Sequence, residues 1–215
     1  MKIILFMFLF LGISSIIFQG IDVSAWQGSI NWGLVAKSKH FAIIRAGTGS
    51  QNVDSYWETN YRNAKNAGLK VGAYWYSYAS SVSDAKNEAK SFLKALSGKK
   101  FEWPVYYDIE EQSIFDAKLQ DSIAKAFCEM LEANHYYCGI YSSTNTFTNY
   151  FKAETRTRYT IWLAHWGVVR PTYSGKYDVW QKAVGRCEGI NGDVDLDEGY
   201  VNFEPTMRQN HLNGY

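Results

Sequence analysis

Apolar, β-branched and aromatic residues fall in short runs along the chain, at Gly20–Ser24, Phe41–Ala46, Val71–Ser77, Val105–Glu110, Cys138–Ser142, Thr160–Ala164 and Tyr177–Gln181, with a weaker run near Val194. Runs of this length and content predict strands. Between them, Tyr56–Ala67, Ser83–Leu96 and Ile114–Asn134 space their apolar residues at three and four, which predicts amphipathic helices, and Gly68 and Gly98 stand where helices stop. Alternating strands and helices predict an α/β fold, a parallel sheet covered by helices. Helices become scarce after about residue 151, so the last strands are expected to be joined by loops and the barrel to be irregular. No repeat, low-complexity tract or Pro-rich linker interrupts the chain, and residues 20–215 are read as one domain. Ahead of them, Met1-Lys2 and the apolar stretch Ile3–Ile17 have the charged start and short apolar core of a signal peptide. It is assigned to residues 1–19, with cleavage after Ser15 or a few residues later. The stretch is shorter than the about 20 apolar residues of a membrane anchor. Export is therefore expected, to the outside or to a digestive vacuole, with no membrane contact after cleavage.

Charge changes this picture little. The 22 Lys and Arg nearly cancel the 21 Asp and Glu of the 215-residue chain, and the formal charge of +1 provides no field to attract nucleic acid or an anionic membrane. The aromatic share changes it more. At 17%, with 8 Trp and 16 Tyr, it suits the flat apolar faces of sugars, although many of these side chains must simply fill the core. Cys128, Cys138 and Cys187 allow one disulfide and leave one thiol, with no connectivity legible, and none sits beside a base as a nucleophile would. No metal is expected: His40, His135, His165 and His211 lack ligand spacing. Asp193, Asp195, Asp197 and Glu204 follow a calcium-loop spacing, but Glu198 stands where that loop needs its turn glycine.

The chemistry concentrates at Asp108-Ile109-Glu110, which closes the apolar run Val105-Tyr106-Tyr107. Residues two apart on a strand point to one face with Cα atoms about 6 to 7 Å apart. The C-terminal end of a barrel strand is where this architecture keeps its active sites. Two carboxyls there repel and hold one proton between them, giving the acid and the base that glycoside hydrolysis uses. Asp22 ends the first run and Asp195 falls in the last, so closure of the barrel brings both to the same mouth.

Taken together, Gly20-Ile21-Asp22-Val23-Ser24 with Trp26-Gln27-Gly28, Gly68-Leu69-Lys70-Val71-Gly72-Ala73-Tyr74, Asp108-Ile109-Glu110, Ile161-Trp162-Leu163-Ala164-His165, and Trp180-Gln181 followed by Gly192-Asp193-Val194-Asp195 resemble glycoside hydrolase family 25 in order and spacing. The likeness runs from Gly20 to about Gly199. It implies an irregular TIM-like barrel of five β/α units and three further strands. It also implies a monomeric lysozyme that needs no cofactor and cleaves the β-1,4 bond between N-acetylmuramic acid and N-acetylglucosamine in bacterial peptidoglycan. By position, Glu110 matches the acid/base, Asp108 the neighbouring catalytic carboxylate, and Asp22 and Asp195 the other cleft acids; Tyr76, Trp162 and Trp180 fall where the family lines its sugar sites. Two departures stand out. Arg45-Ala46-Gly47-Thr48-Gly49 replaces the frequent Lys-Ala-Thr-Glu-Gly, and Asp197 replaces a usual Asn.

The implied reaction retains configuration, with Glu110 protonating the leaving oxygen and then activating water. Asp108 serves either as nucleophile or, in the preferred reading, as the partner that orients the substrate's own 2-acetamido group. A chitinase-type glycosidase is the other enzymatic reading, but its Asp-x-x-Asp-x-Asp-x-Glu pattern meets Trp103 and Tyr106 here. A peptidoglycan-binding barrel without catalysis is the third, and the intact Asp108 and Glu110 weigh against it.

Overall fold

A computed structural model of the protein describes residues 16–110 and 116–215. Most of the leader therefore lies outside the described residues, as does Ile114 at the start of the third expected helix. In chain order the elements are β1 (Phe18–Val23), α1 (Trp32–Val35), β2 (Phe41–Thr48), β3 (Asn52–Val53), α2 (Trp57–Asn66), β4 (Lys70–Tyr76), α3 (Val82–Leu96), β5 (Val105–Asp108), α4 (Ala117–Glu132), β6 (Cys138–Ser143), α5 (Thr144–Tyr150), α6 (Ala153–Arg158), β7 (Thr160–Ala164), β8 (Val179–Gly185), β9 (Val194–Gly199) and α7 (Glu204–Gln209). The sheet order β1-β9-β8-β7-β6-β5-β4-β2 closes through β1–β2 pairing into a barrel, with β3 appended to β2 as a hairpin. All neighbours in the barrel are parallel except β9, which runs antiparallel between β8 and β1. Five β/α units followed by three further strands is the irregular TIM-like barrel expected.

The boundaries shift where pairing extends beyond the apolar runs. Phe18 and Gln19 pair with Gly199 and Glu198, so β1 starts inside the expected leader. Antiparallel pairing likewise carries β8 to Gly185, and β5 stops at Asp108, leaving Glu110 just past the sheet. Short helices occur in the expected loop region. The polar turns of α6 lead into β7, while β7 to β8 and β8 to β9 are loops as anticipated. Gly68 and Gly98 do end helices, with φ of 85° and 73° that side chains rarely adopt. Among the described residues no helix is long and apolar enough to cross a membrane.

Alternation along each strand divides the core in two. Ala42, Ile44, Val71, Ala73, Trp75, Val105, Tyr107, Ile140, Ile161 and Leu163 face the helices and pack there with Phe92 and Phe127. Phe41, Ile43, Tyr74, Tyr106, Tyr141, Trp162 and Val179 face the lumen, where Trp103, Phe203 and Met207 fill the end away from the C-terminal strand ends. Trp103 stacks on Phe41 with centroids 4.3 Å apart. The two-residue period then continues the lumen face from Tyr106 to Asp108.

On the helix side, Tyr107 stacks on Phe127 of α4 at 3.7 Å. Its hydroxyl accepts from Ser77 Oγ at 2.8 Å and donates to the buried Glu88 of α3 at 2.7 Å. Glu88 in turn accepts the Tyr78 N–H at 2.9 Å, so one carboxylate ties α3 to the loop after β4 and to β5. Tyr107→Phe keeps the stack but strands these polar partners, and should lower the unfolding free energy by about 1–3 kcal/mol in urea titration. Unchanged stability would show that the hydroxyl does not anchor the strand.

Candidate active site

The lumen face ends in carboxyls at the C-terminal strand ends. Asp108 stands beside Tyr76 of β4 and Tyr141 of β6 in register, and Asp22 of β1 stands opposite Asp195 of β9. With Glu110 these acids line a cavity of about 300 Å³, shared with Arg45, Tyr74, Tyr76, Tyr141 and Trp162. Glu110 is exposed and also lines an adjoining groove of about 680 Å³ formed with Ser143, Thr144, Asn149, His165 and Trp166. It therefore stands at the junction of a deep cavity and an open groove. A larger depression of about 910 Å³, between Asn31, Asn63, Asn66 and Asn191, is lined by no acid or base among the described residues.

Asp108 is buried, and its Oδ1 has no hydrogen-bond partner among the described residues. Burial pushes its carboxyl well above the usual range, the charge of Glu110 adds to this, and Arg45 opposes it. Arg45 is itself held by Asp54, whose Oδ2 accepts Nε at 2.8 Å and the Ala25 N–H at 3.0 Å. That second bond fixes the turn carrying Trp26, which Ser24 and Gln27 cap reciprocally. Trp26 is 85% exposed and Trp166 53%, and the two indoles rim the cavity.

A hydrogen-bonded chain crosses the cavity wall. Gln181 Oε1 accepts from Tyr141 Oη at 2.7 Å and from Trp166 Nε1 at 2.9 Å, which leaves its Nε2 to donate to Asp22 Oδ2 at 2.8 Å. Of the expected site residues, Asp22, Asp108, Glu110, Asp195, Tyr76 and Trp162 come together here. Trp162 is almost wholly buried and forms floor rather than an open platform. Trp180 is the exception. It points out of the barrel, donates from Nε1 to the His165 carbonyl at 2.9 Å, and borders a separate depression with Lys182 and Glu198. Its neighbour Gln181 takes the lumen place, because β8 alternates from the lumen residue Val179. Among the described residues no group of His, Cys, Asp and Glu side chains is arranged to hold a metal ion.

A sequence model described as Glycosyl hydrolases family 25 matches residues 21–189. The chain belongs to this family. It is similar to an uncharacterized protein, YegX, of Escherichia coli K12, at 33% identity over 83% of this chain and 68% of that one. It is likewise similar to Lysozyme M1 of Streptomyces globisporus, at 31% over 84% and 67%. Among solved structures, a bacterial lysozyme from Streptomyces coelicolor superposes with a TM-score of 0.77 at 31% identity, covering 86% of this chain and 93% of that one. The protein is thus a glycoside hydrolase of the lysozyme type.

The two departures from the family 25 pattern have distinct structural settings. Gly47 lies where the pairing of β2 with β4 shifts register, and a Cβ there would come within 2.4 Å of the Asn52 carbonyl and 2.5 Å of the Trp75 ring. Asp197 is fully buried below the cavity, its Oδ1 accepting from Trp162 Nε1 at 2.8 Å and its carboxyl interacting with that of Asp22. Burial, then the charge of Asp197, pushes Asp22 well above the usual range, and Asp197 is pushed up to about 8, chiefly by burial. Sequence reasoning missed Arg45, Asp54, Tyr141, Trp26 and Trp166 as site residues. Strand alternation signals Tyr141, one lumen step from Gly139, but nothing local marks the exposed indoles.

Because these acids take up protons more readily when folded, their contribution to stability is complete below about pH 4 and is lost as the pH rises toward 8. Asp197→Asn supplies the donor toward Asp22 as an amide N–H and keeps an acceptor for Trp162. Thermal unfolding from pH 4 to 8 should show the variant losing less stability than the wild type as pH rises. Parallel pH profiles for the two would mean that Asp197 holds no such proton.

Proposed function

We propose that the protein is an exported lysozyme that hydrolyses the β-1,4 bond between N-acetylmuramic acid and N-acetylglucosamine in bacterial peptidoglycan, with retention of configuration. The observation that carries this reading is the position of Glu110 at the meeting of the two cavities, with the buried Asp108 beside it. The sugar that reacts occupies the deep cavity over Asp108, and the leaving sugar occupies the groove. Glu110, protonated, delivers its proton to the glycosidic oxygen as the bond from C1 breaks. The 2-acetamido oxygen of the reacting sugar attacks C1 from the opposite face while Asp108 accepts the acetamido N–H. Glu110, now a carboxylate, takes a proton from water as that water opens the cyclic intermediate, and two inversions at C1 restore the original configuration. The Oδ1 of Asp108, without a hydrogen-bond partner among the described residues, is available to accept that N–H. Asp22 and Asp195 shape the wall, Tyr76 and Trp162 bound the reacting sugar, and the exposed Trp26 and Trp166 offer stacking faces at the rim.

The likeness to Lysozyme M1 and to the Streptomyces coelicolor lysozyme supports peptidoglycan as the substrate. The protein is taken to act as a monomer of one domain. The leader-like start supports export, and a junction after Ser15 leaves Phe18 and Gln19 in their pairing with β9, whereas a cut after Gln19 removes both. Glu110→Gln should lower turnover of labelled cell walls by about 10²- to 10⁴-fold without changing the unfolding temperature. Near-normal turnover would discard Glu110 as the acid. Mass spectrometry of the products should find muramic acid at the new reducing ends; glucosamine there would assign a different bond.

A further inference from the structure

The helix-side core holds a pair of sulfur atoms that the hydrolytic site does not use. Cys128, in the last turns of α4, and Cys138, the first residue of β6, are both buried with their Sγ atoms 3.2 Å apart. We propose that Cys128 and Cys138 are a disulfide-forming pair, joined in the mature protein, and that Cys187 stays a thiol. A disulfide requires sulfur atoms about 2.05 Å apart, so the two need to approach by only about 1 Å, within the reach of side-chain rotation. The backbone already presents them to each other. The turn between α4 and β6 is closed by the Tyr136 N–H donating to the Leu131 carbonyl at 3.0 Å, with His135 at a φ of 62° making the reversal. Topology separates the third cysteine from this pair. Cys138 opens β6 beside the end of α4, whereas Cys187, in the loop after β8, sits against the connection from α1 to β2, its thiol hydrogen-bonded to Ser38 and near Lys39.

Joining the thiols removes two electrons and two protons, which pass to a disulfide-bearing oxidant: a thiol–disulfide oxidoreductase of the export route, or oxidised glutathione in a test tube, reduced to two thiols. Timing follows from burial, which pushes the Cys128 thiol well above its usual range and leaves little thiolate once the core has formed. The bond therefore forms while the chain folds, and in the finished barrel it is shielded from reductants. It clamps the end of α4 to β6, the strand beside the Asp108 strand. The proposal needs an oxidising environment, which the exported reading supplies, but the pairing itself can be tested without export.

The test has two arms. Full-length protein recovered from the export route of an expression host is alkylated without reduction and mapped by peptide mass spectrometry. Full-length protein unfolded with all cysteines reduced is refolded in glutathione buffer and mapped the same way. Each arm should give linked Cys128 and Cys138 peptides, two hydrogens lighter than their sum, with Cys187 alkylated. The linked protein should lose about 5 °C in melting temperature when reduced, and Cys187→Ser should show the same loss. Three alkylated cysteines in the refolded protein, or a link that includes Cys187, would overturn the pairing. A chain that never enters the export route but links Cys128 to Cys138 on refolding would sink export and leave the pair standing.

Discussion

Four carboxyls facing one small cavity, with a single guanidinium among them, impose the constraint under which the rest of the barrel is built. Asp22, Asp108, Glu110 and Asp195 cannot all carry charge at such separation in a partly water-excluded space. Relief comes through several routes at once. Arg45 answers Asp108, and Gln181 donates to Asp22. Burial raises the proton affinity of Asp22 and Asp197, which favours their uncharged forms, and Glu110 escapes burial because β5 ends two residues before it. The division of labour between a buried, protonation-prone floor and one exposed acid is thus a result of electrostatics as much as of position. Of these acids, Glu110 is the one most open to solvent.

Such a cluster destabilises the end of the barrel that holds it, so stability has to come from elsewhere. At the opposite end the lumen is packed with aromatic side chains, Phe41 and Trp103 in parallel stack and Phe203 edge-on to Trp103. Outside, Tyr107 joins β5 to α3 and α4 through one stack and one hydrogen-bonded hydroxyl. The strand that bears Asp108 is thereby gripped on its helix face and at its foot, and its carboxyl end is left free to face substrate. Burial of apolar surface at one pole offsets the cost of concentrated charge at the other.

How much of this was legible beforehand follows from the same physics. Every barrel strand was marked by its apolar run, since each has a buried face, and Asp22, Asp108 and Asp195 were marked by lying at or in those runs. Antiparallel extension was not, because past the irregularity at Lys182 the residues Ala183 to Gly185 continue the ladder opposite Leu196 to Val194 by backbone pairing, which needs no apolar run. The outward turn of Trp180 is a matter of phase: one residue of offset along β8 exchanges it with Gln181, and a motif match carries no phase until Val179 is seen to face the lumen. Asp54 was silent for another reason. It lies outside the regular elements, and its importance comes from partners 9 and 29 residues away, Arg45 and Ala25.

Those distant partners show how the rim is coupled to the floor. Asp54 accepts from Arg45, which faces Asp108, and from the backbone of the turn that displays Trp26. Gln181 similarly joins Trp166 at the rim to Asp22 and Tyr141 within. Trp166 is thus one intermediary, Gln181, away from Asp22, and the turn that displays Trp26 is two, Asp54 and Arg45, away from Asp108. Trp166 Nε1 and Tyr141 Oη both donate to Gln181 Oε1, and this orients the amide so that Asp22 meets a donor rather than an acceptor. The rim and the floor are in this way parts of one hydrogen-bonded system.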